Sequence, residues 1–326
     1  MQSPATIKAA FVILFMCSLS AAIKAQQTSQ KFVQETNYLL SLPEGYNDDT
    51  TSRWPLMLFL HGSGESGSDI QKVKAHGPPE LADKGKRFPF IIVSPQSDVP
   101  SGWDIEMLYK LLRYIKKKYR VNERKVYLTG LSMGGFGTWA FAMKYPDEFA
   151  AIAPVCGGGD TAGAWKLRNI PVWCFHGARD DIVPPIGSEN LVKATGRYNP
   201  SVRFTLYPDA NHNSWDATYN NDSLYSWLLA QTRFTYTEKP VSNIVLKKYE
   251  GYYAGPDKDT VQLIVENNGL LAKPGTDRVP LRPAGENLFF IQPDKNMDIR
   301  FTSEKNKVTG FLFLGDRALM YRKISL

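Results

Sequence analysis

Val126-Tyr-Leu-Thr-Gly130-Leu-Ser132-Met-Gly134-Gly-Phe-Gly-Thr-Trp-Ala140 decides how the chain is read. A β-rich run meets Gly130, passes through Ser132 and leaves through Gly134 and Gly135 into a helical pattern. The spacing G-x-S-x-G is that of a sharp strand-to-helix turn with an exposed serine, the nucleophile elbow. Such a turn forces the serine backbone into a strained conformation, and the positions two before and two after it must lack side chains. The serine hydroxyl then stands at the strand tip, where the helix N-terminus also directs its free N–H groups.

Outward from this stretch, apolar runs alternate with amphipathic segments. Strands are expected over 37–42 (an edge strand), 55–60, 90–93, 126–129, 150–156, 172–175 and 202–206. Helices are expected over 104–119, from the elbow to about Tyr145 where Pro146 stops it, over 186–195 and over 224–231. Continuous apolar strands alternating with helices predict an α/β fold, a mostly parallel sheet with helices on both faces. Ligands then sit at the C-terminal strand ends. The breaks His61-Gly-Ser-Gly-Glu65, Gly157–Gly159 and His176-Gly177 all fall there.

The pattern changes near residue 237. Seven short alternating segments follow, 249–253, 260–266, 270–273, 287–291, 298–301, 308–313 and 319–323, with Asn267-Asn268-Gly269 as a tight-turn signal. They predict a small all-β antiparallel domain, sandwich or barrel, over 237–326. The segment 232–243, with Pro240, reads as the linker, and the preceding unit spans 26–236.

Residues 1–25 read as a secretory signal peptide, with Lys8 before a largely apolar run and small residues. Export to the periplasm or the exterior follows. Lipid anchoring through Cys17 is disfavoured because Met16 stands where a lipobox wants a small residue. Removing Lys8 and Lys24 lowers the formal charge from +7 to +5. The remaining basic residues are scattered. Lys116-Lys117-Lys118, the only run, reads as a solvated helix face and not a nucleic-acid stripe. No stretch approaches a membrane span. Cys156 and Cys174, each on a core strand, read as free buried thiols.

A serine hydroxyl needs a base, and the base an orienting acid. His212, in a polar loop after the strand ending near Tyr207, is placed to reach back over the sheet. Asp180 lies just past another strand end. The order Ser132, Asp180, His212 is that of elbow-type hydrolases. Asp181 competes for the acid role, but the spacing Gly177-x-x-Asp180-x-x-Val183-Pro184 favours Asp180. Asp209 is read as shaping its loop, His176 as structural and His76 as cleft rim. An oxyanion requires fixed donors, expected as the backbone N–H groups of Met133 and Ser63, with Glu65 pinning the loop. Trp103, Trp215 and Tyr219 are candidate cleft residues. No cofactor is expected, and the dispersed histidines give no metal-ligand spacing.

These motifs resemble the α/β-hydrolase superfamily, and within it secreted bacterial esterases of the phospholipase/carboxylesterase, predicted-peptidase and feruloyl-esterase-like type. The resemblance covers about residues 36–231; the C-terminal strands are similar to a small β-domain often appended to secreted hydrolases. It implies Ser132 as nucleophile, Asp180 as acid, His212 as base and oxyanion donors at Ser63 and Met133. The implied activity is hydrolysis of carboxylic esters, short-acyl, acetyl or feruloyl, on a small molecule or a polysaccharide, through an acyl-enzyme. A serine peptidase on the same fold is the first alternative; the short stretch 157–170 leaves no room for a long cap, which favours an open cleft and an ester. A non-catalytic carbohydrate- or surface-binding protein is the second.

Overall fold

The computed structural model describes residues 36–293 and 295–324. The expected signal peptide and Cys17 lie outside them. Two sheets are present. The first has seven strands: β1 (Tyr38–Ser41), β2 (Trp54–Leu60), β3 (Ile91–Pro95), β4 (Val121–Leu131), β5 (Ala151–Val155), β6 (Val172–Gly177) and β7 (Val202–Tyr207). Their spatial order is β1-β3-β2-β4-β5-β6-β7. Only β1 runs antiparallel, pairing with β3 at the sheet edge. The others are parallel, as their unbroken apolar character requires.

The helices of this unit are α1 (Gly77–Asp83), α2 (Ile105–Lys118), α3 (Met133–Lys144), α4 (Ile186–Gly196), α5 (Trp215–Tyr219) and α6 (Asp222–Ala230). Alternation along β2 sends Leu56, Leu58 and Leu60 to one core with Leu108 and Leu112 of α2 and Trp139 and Phe141 of α3. Met57 and Phe59 go to the opposite core, with Leu224 and Leu228 of α6. Both sheet faces are therefore covered, and the α/β-hydrolase architecture is present. Of the lysine run on α2, Lys117 and Lys118 are solvated, whereas Lys116 is half-buried and pairs with Glu148. Cys156 and Cys174 are free and buried. Among the described residues no helix is long and apolar enough to cross a membrane.

After a short helix, α7 (Asn243–Lys248), eight strands close a barrel: β8 (Gly251–Ala254), β9 (Thr260–Glu266), β10 (Gly269–Pro274), β11 (Val279–Pro283), β12 (Leu288–Phe290), β13 (Asp298–Glu304), β14 (Lys307–Leu314) and β15 (Ala318–Ile324). Its strands are antiparallel throughout, and its interior is aromatic, with Tyr253, Phe289, Phe301 and Phe311 among the buried residues. Asn267 and Asn268 both take positive φ, 50° and 61°, which a two-residue hairpin of matching twist demands. The sequence pattern anticipates seven of these strands and misses β11, whose Pro280 and Pro283 argue against a strand.

The connection between sheet and barrel is tied down. Arg233 N–H donates to Arg124 O, Tyr236 N–H to Pro293 O and Lys239 N–H to Pro283 O. A buried ion pair joins the two units. Arg168 follows a 3-10 turn over Thr161–Leu167, and its Nε donates to Asp298 Oδ2 of β13 at 2.8 Å. Its remaining nitrogens donate to the carbonyls of Trp165, Asn296 and Leu314. Tyr236 O–H donates to the same carboxylate oxygen.

Candidate active site

Ser132 sits between β4 and α3 with φ 52° and ψ −116°, outside the regions open to ordinary residues. The flanking glycines are required by close backbone approach. A Cβ on Gly134 would lie 1.9 Å from Leu60 O, and one on Gly130 2.5 Å from Gly134 O. Ser132 N–H donates to Val155 O at 3.0 Å, which locks the turn against β5. The Cys156 thiol also lies 3.3 Å from that nitrogen. Burial pushes this thiol up to about 12, so it remains protonated beside the serine.

His212 Nε2 is 3.0 Å from Ser132 Oγ, and its Nδ1 is 2.8 Å from Asp180 Oδ2. With Nδ1–H donating to the carboxylate, Nε2 is free to accept the serine proton. Asp180 is held rigidly. Its Oδ1 accepts from the N–H groups of Ile182 and Val183 at 3.0 and 2.8 Å. Burial raises its pKa, but the His212 bond and the two backbone N–H groups outweigh that, and the net shift is downward. Asp181 is exposed, and Asp209 pairs with Arg179 at 2.5 Å; neither reaches His212.

His176 supplies a second imidazole to Asp180. Its Nε2 lies 2.8 Å from Val183 O, an acceptor only, so that nitrogen carries a proton and also donates to Asp180 Oδ2 at 3.1 Å. Nδ1 meets Ser188 Oγ at 2.8 Å. His176 is wholly buried and shares Asp180 Oδ2 with His212. The sequence reading assigned it no contact with the acid.

Ser63 and Met133 line the cavity of about 520 Å³ that opens over Ser132. Among the described residues no acceptor meets the backbone N–H of either. The Ser63 loop is fixed from three sides. Gly62 N–H donates to Glu65 Oε2 at 2.9 Å, and Gln96 Nε2 donates to Glu65 O at 2.8 Å. His61 Nδ1–H donates to Gly62 O, while its Nε2 accepts from Ser97 N–H at 3.0 Å. Burial lowers the His61 pKa, against the opposing pull of Gly62 O and Glu65, so the ring is neutral in this role.

The three aromatic cleft candidates separate. Trp103 is half-buried and lines the cavity with Ser132. Trp215 is half-buried, its ring 5.2 Å from His212 and 5.4 Å from His76, so it walls the base and not the cavity itself. His76 in turn reaches Glu65 at 3.9 Å. Tyr219 is not a cleft residue. It is 1% exposed, and its hydroxyl bonds Thr129 Oγ1 at 2.9 Å beneath the loops. Its place on the short helix α5 turns it to the core. The cavity wall also uses Phe136 and Ile182, both exposed, which no motif singles out.

Cys156, Asp180 and His212 bring potential ligand atoms within 4.8 Å of one another. All three are engaged in the hydrogen bonds above, and the thiol is held protonated by burial.

Comparison with known proteins gives the following. Residues 104–231 match the Dienelactone hydrolase family. A bifunctional acetylxylan esterase/xylanase of Neocallimastix patriciarum is 29% identical over 181 residues, covering 53% of this chain and 26% of that protein. A probable feruloyl esterase C of Aspergillus terreus is 24% identical over 174 residues, covering 51% and 63%. A poly(3-hydroxyalkanoate) depolymerase C of Paucimonas lemoignei is 30% identical over 192 residues, covering 44% and 45%. The chain thus spans less than two thirds of the length of these relatives. Among solved structures, a thermostable esterase superposes with a TM-score of 0.52 at 32% identity, covering 60% of this chain and 59% of that one.

Proposed function

We propose that the protein is an exported serine esterase that cleaves carboxylic esters carried by polysaccharides, acetyl or feruloyl groups among them. The observation that carries the reading is the continuous relay Asp180 Oδ2–His212–Ser132 Oγ, 2.8 and 3.0 Å, at the tip of a strained turn inside an open cavity. In this reading His212 Nε2 takes the Ser132 proton as Oγ attacks the ester carbonyl. The carbonyl oxygen becomes an oxyanion and accepts from the N–H groups of Ser63 and Met133. Collapse expels the alcohol, to which His212 returns the proton, and leaves an acyl-serine. Water, deprotonated by the same imidazole, then releases the acid.

Asp180 stays ionised throughout because its net shift is downward. The esterase names of the relatives support the reaction class, and the xylan and ferulate in those names suggest the substrate class. Export rests on residues 1–25. We place the division between the catalytic unit and the barrel unit near residue 237, as 26–236 and 237–326.

Hydrolysis of p-nitrophenyl acetate by the wild type and by Ser132→Ala tests the mechanism. The variant is expected to lose on the order of 10⁵–10⁶-fold in kcat, as removal of a serine nucleophile does elsewhere. Retention of wild-type turnover in Ser132→Ala would remove the nucleophile from the scheme.

A further inference from the structure

Three cavities lie in a row along α3, neighbours sharing lining residues, beginning with the one over Ser132. It shares Phe136 and Ala140 with a second cavity of about 410 Å³. That one shares Met143, Lys144 and Lys166 with a third of about 490 Å³, whose far wall is the barrel, at Met297, Gly315 and Asp316. The residues that α3 contributes, Phe136, Ala140, Met143 and Lys144, recur at three- and four-residue spacing and so form one helix face. Between Ser132 and Lys144 the helix rises about 18 Å. The result is a trough that starts at the candidate nucleophile and ends on the second unit.

Its chemistry alternates. Phe136, 42% exposed, supplies an aromatic face, and the Tyr109–Tyr145 pair, stacked on each other at 3.9 Å, lines the far cavity with further aromatic surface. Lys166 supplies an ammonium donor, as does Lys144, which also pairs with Glu106; Asp160, which already accepts from Ala162 N–H, and Asp316, both exposed, supply acceptors. A chain of sugar rings meets all three requirements: C–H faces for the aromatics, hydroxyl oxygens for the ammonium groups and hydroxyl protons for the carboxylates. A polyester chain offers acceptors only and so gives these carboxylates nothing to accept from.

We propose that this trough binds the main chain of an ester-decorated polysaccharide, with the ester at Ser132 and the chain running along α3 onto the barrel. The barrel is then part of the substrate site. The inference rests on the esterase reading and specifies its substrate.

Steady-state kinetics on acetylated xylo- and manno-oligosaccharides of increasing length, with p-nitrophenyl acetate alongside, test it. For at least one series, KM is expected to fall with length until the chain spans about 18 Å. In Lys166→Ala/Asp316→Ala, KM for the long oligosaccharides should rise about tenfold with kcat retained, the effect of losing one or two hydrogen bonds to charged groups. Activity on p-nitrophenyl acetate should stay within about twofold, under about a third of that effect on the free-energy scale. A KM independent of length, a double variant indistinguishable from wild type on long chains, or cleavage of poly(3-hydroxybutyrate) with none of either oligosaccharide would overturn the trough while leaving the esterase standing. Failure on every ester, p-nitrophenyl acetate included, would instead bring down the reading beneath it.

Discussion

Asp180 and Asp298 are both carboxylates without side-chain exposure, and each anchors a dense hydrogen-bond network. They differ in the partner they face. Asp298 faces two guanidinium groups, that of Arg168, buried with it between sheet and barrel, and that of the half-buried Arg300. Asp180 faces two imidazoles, and one of them turns its second ring nitrogen to Ser132 at the cavity. Burial and charge are therefore not what marks a reactive site. An exchangeable proton partner with a route to solvent is what separates the relay from the latch. The backbone agrees within the sheet unit: its described non-glycine residues of positive φ are Ser132 and Cys156, φ 40°, both beside the relay, while Arg168 has ordinary helical dihedrals.

Substitutions can break this contrast in order of expected size. Asp180→Asn should cost about 10⁴-fold in kcat on p-nitrophenyl acetate, because the amide can hold His212 in the wrong tautomer. A loss below tenfold would place the acid elsewhere. Asp298→Ala should lower the unfolding free energy by about 3–5 kcal/mol, because the Arg168 guanidinium would stay buried and unpaired. Urea titration reads this, and kcat of the folded fraction should be kept; a variant of wild-type stability would show that the latch carries nothing.

The smallest effect is a pH dependence at His61. Its folded pKa is lowered by burial, so below the ordinary histidine value of about 6.5 the unfolded chain binds a proton that the folded one does not. Stability should therefore fall as the pH drops from 7 to 5. In His61→Asn, whose amide can still accept from Ser97, that part of the slope should vanish, a difference of at most about 1.4 kcal/mol per pH unit. Parallel slopes in the two proteins would mean that His61 does not titrate differentially.

Much of the α/β unit was legible because its strands carry unbroken apolar runs and its glycines mark their ends. The relay was legible for a related reason: Ser132, Asp180 and His212 each stand just past such a run. What escaped was set by tertiary contact. The helices α1 and α5 are five to seven residues long, too short for a periodic signal, and α1 opens on Pro78-Pro79, which reads as a loop. Tyr219 falls between the strand expected over 202–206 and the helix expected over 224–231, and it is the five-residue helix α5 that turns it inward. The Arg168–Asp298 pair joins residues 130 apart in sequence, and no local pattern connects them. His176 presented only its place at a strand end; its bond to Asp180, at i and i+4 in a turn, needed the turn's shape.

The glycines around Ser132 also limit how the protein can change. On α3, Gly134 and Gly135 cannot acquire a side chain without meeting the carbonyls of Leu60 and Val155, and Thr138, Trp139, Phe141 and Ala142 are enclosed by core. Positions 136, 140 and 144 are the exposed ones on that helix. Variation that leaves the turn intact is thereby channelled onto the floor of the trough. A randomised library restricted to these three codons would sample substrate preference while sparing the elbow.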